Sequence, residues 1–169
     1  MKYLLPLIII LTLSTNIYAK KNIYPIEVVA CMADIIVVGE ITNVYSDSYD
    51  LKIRRTIKGQ EKTIITVQMF QEWTYDTRKR KAEKGQELFL FLVKNKDKYE
   101  IINGSTGEMF IEKNKVLRVV NDKQPTVDEL AMAINIFTRS YKLKEKGIIE
   151  KGFFLLIKLS LSKLKLTLK

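Results

Sequence analysis

The chain of 169 residues contains no histidine. The usual general base near neutral pH and the commonest metal ligand are therefore both missing. A single cysteine, Cys31, excludes an intrachain disulfide and a thiolate-held metal cluster. No internal repeat divides the sequence. Gly104-Ser105-Thr106-Gly107 lacks the longer loop, the lysine and the following helix of a phosphate-cradling P-loop, and reads instead as a hairpin turn. No cofactor is expected. After these exclusions there remains a chain of 47% hydrophobic residues, enough to bury a core and too many for wholesale disorder. Its length suits one domain with appendages.

The first nineteen residues have the layout of an export signal. Lys2 supplies the charged start, Leu4 to Leu13 an apolar run, and Ile17-Tyr18-Ala19 a cleavage site before Lys20. The run falls short of the roughly 20 residues that span a bilayer, so an uncleaved anchor is the weaker reading. Cys31 is not a lipoprotein anchor, because Lys20, Lys21 and Asn22 separate it from the apolar run; it reads as a small buried apolar residue. The mature chain is expected outside the cytoplasm, in the periplasm, on the cell surface or in the medium. The net charge of +10 is unevenly spread: Tyr141 to Lys169 holds eight lysines against Glu145 and Glu150, a surplus of six, and Lys2 holds one. That leaves a surplus of three for Lys20 to Ser140, a mildly basic body with a strongly basic tail.

The segment Ala33 to Gly59 founds a closed barrel. Ile35 to Val38 is continuously apolar, as in a strand buried on both faces, and Gly39 marks a bulge or bend. Ser46-Asp47-Ser48 makes a turn, Tyr49, Leu51 and Ile53 alternate with Asp50, Lys52 and Arg54, and Lys58-Gly59 closes the second strand. Further strands follow at Ile65 to Met69, at the unbroken apolar Leu88 to Val93, at Tyr99 to Ile102, at Met109 to Ile111 and at Val116 to Val120. Before them, Pro25 introduces a lead-in that suits a short helix or a strand. After them, Thr126 and Glu129 form a capping box, and Val127, Leu130, Ile134, Phe137 and Tyr141 line one face of a helix of about four turns. Part of the cover over Leu88 to Val93 is expected from that helix.

Three words in this pattern carry a resemblance: Ala33-Asp34-Ile35-Ile36-Val37-Val38-Gly39-Glu40-Ile41, then Ile57-Lys58-Gly59, then Lys84-Gly85-Gln86-Glu87-Leu88-Phe89-Leu90. Over Ala33 to Ile111 the chain resembles the oligonucleotide/oligosaccharide-binding (OB) barrel used by tissue inhibitors of metalloproteinases and netrin-like domains, including exported bacterial relatives. The resemblance implies a mainly β fold, a small OB-like Greek-key β-barrel, with a C-terminal α-helix. The expected division is a signal peptide at 1–19, a lead-in at 20–32, the barrel at 33–122, the helix at 123–146 and a basic apolar tail at 147–169. The animal inhibitors chelate a protease zinc through an N-terminal cysteine and are stapled by disulfides. Here Cys31 is internal and has no partner, so inhibition by that route does not carry over.

Glu40, Asp47, Asp50, Glu72 and Asp76 supply carboxylates, but on turns and strand ends these read as solvating groups rather than a facing acid pair. The chain is expected not to be an enzyme. The most suggestive binding site is the loop 71–84, with Trp73, Tyr75, Arg78, Lys79, Arg80 and Lys81. Interleaved aromatics and cations can stack bases and neutralise phosphates, which makes nucleic acid or another polyanion the alternative ligand. Export argues against nucleic acid and favours an unidentified protein or envelope component. In the tail, Leu159, Leu161, Leu164, Leu166 and Leu168 alternate with Ser and Lys at a strand period, and three readings stay open: an added edge strand, a peripheral membrane contact, or an extension with no role.

Overall fold

The computed structural model of the chain describes residues 24–72, 76–117 and 124–145. The export signal expected at 1–19 and the tail at 147–169 lie outside the described residues. The lead-in is helical: α1 spans Ile26–Met32 behind Pro25. Seven strands follow: β1 (Ile35–Val44), β2 (Ser48–Lys58), β3 (Ile64–Gln68), β4 (Glu87–Asn95), β5 (Lys98–Ile101), β6 (Glu108–Glu112) and β7 (Lys115–Leu117). The helix α2 (Val127–Glu145) ends the described chain.

β1 pairs with β2, β2 with β3, β3 with β5, β5 with β4, and β4 back to β1, so five strands close on themselves. The β3–β5 pair is parallel and the others are antiparallel. This is an OB-like barrel followed by a C-terminal helix. Closure removes the free edges that an open sheet of this size would expose.

The two apolar runs of the sequence are the two strands covered on both sides. On β4, Leu88, Leu90 and Leu92 point into the barrel with Val37, Leu51 and Val67. Phe89 and Phe91 point outward and are covered by Val29 of α1 and by Leu130 and Ile134 of α2, with half-buried Val93 packed beside them. On β1, Ile35 and Val37 face in while Ile36 and Val38 face the helices. Strict inside–outside alternation gives no polar face when both sides are buried, which is why these runs lack polar residues.

The glycine at the second register shift between β1 and β2 is forced. The register between β1 and β2 shifts between Val38 and Gly39, and a Cβ on Gly39 would sit 2.7 Å from the Lys52 carbonyl oxygen. The Lys58-Gly59 corner has a double role. Gly59 turns with φ of +80°, where a Cβ would meet Ile35 Cγ2 at 2.6 Å. The Lys58 ammonium then donates to the carbonyls of Ala30 at 3.0 Å and Cys31 at 3.1 Å in the last turn of α1 and to that of its C-cap, Ala33. At α2 the capping box forms as the sequence predicts. The Thr126 amide donates to Glu129 Oε2 at 2.8 Å and the Glu129 amide to Thr126 Oγ1 at 3.2 Å.

One reading is corrected. Gly104–Gly107 is not a hairpin turn, because β5 and β6 do not pair with each other. They lie end to end along the same edge of β4, β5 opposite Leu92–Asn95 and β6 opposite Glu87–Leu90. Residues 102–107 bulge out between them around a short 3-10 turn. Phe91 bridges the gap: its amide donates to Gly107 O at 2.9 Å and its carbonyl accepts from Ile102 at 3.0 Å. A Cβ on Gly107 would fall 2.0 Å from Ile102 O, so only glycine fits there. The hairpin signal belongs instead to β6–β7, whose turn residues Lys113 and Asn114 have φ of 48° and 64°.

Candidate functional site

The connection from β3 to β4, residues 69–86, contains no helix among its described residues. It folds over one end of the barrel and leaves an open groove of about 740 Å³. Val44 at the end of β1 and Ser46 and Asp47 of the β1–β2 turn form one wall, and Met69, Phe70, Glu72 and Arg78 to Ala82 form the other. The β1–β2 turn is itself held by Asp50. Its Oδ2 accepts from the Tyr45 hydroxyl at 2.7 Å and from Asn43 at 3.2 Å, and its Oδ1 accepts from Thr66 at 2.9 Å. The Tyr45 hydrogen bond, joined by those from Asn43 and Thr66, keeps the Asp50 carboxyl below its ordinary value.

Arg78 does not present its charge to solvent. Its side chain is 6% exposed and lies against Glu108 of β6, which is 1% exposed. Arg78 Nε donates to Glu108 Oε2 at 2.6 Å and Nη2 to Oε1 at 2.5 Å, a two-pronged pairing that matches the guanidinium fork. The Tyr49 hydroxyl donates to Glu108 Oε1 at 2.8 Å, and the guanidinium carbon lies 5.6 Å from the centre of the Tyr49 ring. Burial, reinforced by the Glu108 charge, raises the Tyr49 phenol well above 10. A buried carboxylate is tolerable only when its oxygens are met by donors of this kind. The loop is therefore pinned to the barrel interior by a strut of three side chains.

The remaining predicted site residues separate. Lys79, Arg80 and Lys81 are exposed and border the groove, and Arg80 pairs with Glu112 of β6. Lys79 and Lys81 have no carboxylate at ion-pair distance among the described residues. Trp73 and Tyr75 lie outside the described residues. The carboxylates singled out from the sequence are each engaged. Glu40 pairs with Arg54, Asp47 with Lys98 at 3.8 Å, Glu72 accepts from the Arg78 amide at 2.5 Å, and buried Asp76 accepts from the Ser105 amide at 3.1 Å. Asp47 and Glu72 also line the groove, so its rim carries both signs of charge.

Sequence reasoning missed Glu108, Tyr49 and the β1–β2 turn as parts of this site. One signal was available: Glu108 heads the apolar strand Met109–Ile111, and a carboxylate entering such a strand needs a buried cation. No protein-family model matches the chain, and a comparison with curated proteins finds no match either.

Proposed function

We propose that the chain is an exported, non-catalytic binding domain that takes a protein or a component of the cell envelope in the groove between the β1–β2 turn and the loop after β3. The observation that carries this reading is the groove itself. Its volume lies within the roughly 300–1,000 Å³ of typical ligand sites, and it joins an apolar lining to a few polar groups. Val44, Met69, Phe70 and Ala82 supply the apolar part, while Asp47, Glu72, Lys79 and Lys81 supply charges of both signs. The buried strut from Arg78 to Glu108 and Tyr49 fixes the loop wall before any ligand arrives, which lowers the ordering cost of binding.

A polyanion in the same groove is the alternative reading, supported by Lys79 and Lys81. It is weakened because Arg78 and Arg80 already neutralise Glu108 and Glu112, and because Asp47 and Glu72 would oppose phosphates. A photo-crosslinking residue placed at Val44 or Lys81 tests the proposal in an envelope preparation, with Lys62, which does not line the groove, as the control position. The expected result is one discrete adduct from both groove positions and none from the control. Adducts of equal yield from all three positions would refute the groove as the site.

A further inference from the structure

A second surface, none of whose residues line that groove, is built by the two helices. Val28 and Met32 stand one turn apart on α1 and are 40% and 51% exposed, and Tyr24, just before the helix, is 40% exposed. Between α1 and the end of α2 runs a groove of about 510 Å³, lined by Val28, Cys31, Met32, Phe137 and Tyr141. Glu27 and Glu145 line it as well, so the chain enters α1 and leaves α2 at one surface. The residues adjoining this surface in sequence share a chemistry. Lys20 and Lys21 precede it, and from Tyr141 onward the sequence has eight lysines against Glu145 and Glu150, interleaved with Phe153-Phe154-Leu155-Leu156-Ile157 and six further leucines. The Lys144 ammonium lies 6.0 Å over the Tyr141 ring at the edge of the groove.

We propose that the face formed by Tyr24, Val28, Met32 and the C-terminal end of α2 docks on an anionic lipid bilayer. Exposed aliphatic and aromatic side chains flanked by cations are the composition of a segment that lies in the membrane interface. The apolar groups enter the headgroup boundary while the lysines meet lipid charge. The lysines that adjoin the face in sequence outnumber Glu27, Glu145 and Glu150, and this surplus selects a negatively charged surface. Among the described residues no helix is long and apolar enough to cross a membrane.

Sedimentation of the full chain with vesicles of phosphatidylglycerol and phosphatidylethanolamine, against vesicles of phosphatidylcholine alone, tests this. Binding is expected to the anionic vesicles, and Val28→Glu with Met32→Glu should weaken it about tenfold while leaving the thermal midpoint in place, since both side chains are solvent-exposed. A second readout needs no substitution. Cys31 is the single cysteine and lines this groove, so an environment-sensitive dye on its thiol should shift to the blue and be quenched by lipid-borne quenchers. Labelling belongs at alkaline pH, because burial raises the thiol. The proposal is overturned if anionic vesicles bring down no protein. It also fails if the double variant sediments as well as the parent while the dye is unaffected, which would assign binding to residues 146–169 alone.

Discussion

Replacing Arg78 by Met removes the cation from the strut and keeps the apolar stem. It leaves Glu108, 1% exposed, as a carboxylate inside the barrel with the Tyr49 hydroxyl still donating to it and two guanidinium hydrogen bonds gone. Breaking a buried pair from one side typically costs about 3–5 kcal/mol, because the orphaned charge has lost its water as well as its partner. Removing both charges is different in kind. In Arg78→Met with Glu108→Gln no buried charge remains, and the introduced amide oxygen can still accept from Tyr49. The double variant should therefore fall only about 1–2 kcal/mol below the parent, less than the first substitution alone. Urea unfolding of the parent, both single variants and the double variant completes the cycle. Amide exchange should also quicken in residues 76–82 of the Arg78 variant, since the loop has lost its pin. A loss below about 1 kcal/mol for Arg78→Met, or two single costs that simply add, would refute the reasoning: it would mean that Glu108 is solvated and that something else holds the loop.

Three further outcomes follow from the same structure. Leu90, fully buried in the barrel, should lose about 2–5 kcal/mol as Leu90→Ala in urea unfolding, and a loss below about 0.5 kcal/mol would place it at the surface. The Tyr49 phenol is raised well above 10, so its contribution is complete below that pH and is lost as pH rises; ultraviolet titration should show one tyrosine ionising only together with alkaline unfolding. Asp50 has its carboxyl lowered from 3.8, so its contribution is present above that pH and lost as pH falls through the lowered value. Asp50→Asn should flatten that part of the acid-stability profile.

The fold was legible where local signals and burial agree. The apolar runs at Ile35–Val38 and Leu88–Val93 suit strands covered on both faces, and they are the two strands whose pairing closes the barrel. The Thr126–Glu129 cap is a four-residue device and was readable as such. The β5–β6 arrangement was not, because Asn103-Gly104 signals a turn without saying whether the flanking strands pair with each other or with a third. The site was the least legible. In sequence Arg78 looks like its neighbours Lys79 and Lys81, and only its pairing with Glu108, thirty positions away, withdraws it from solvent. A charge run reads as a solvated face until the fold shows which member has a buried partner.

The central claim, that the groove rather than the charge of its rim recognises the ligand, is tested most directly by one binding measurement. The parent chain and Val44→Glu, a substitution at a 40% exposed position in the groove wall, are compared across a range of salt for retention on an immobilised envelope preparation freed of lipid, so that the helix face takes no part. Loss of retention in Val44→Glu, with retention of the parent changing little as salt rises, is the predicted result. Equal retention of the two proteins would contradict the groove. A steep fall with log salt in the parent, with a slope of several phosphate contacts, would show a polyanion site instead.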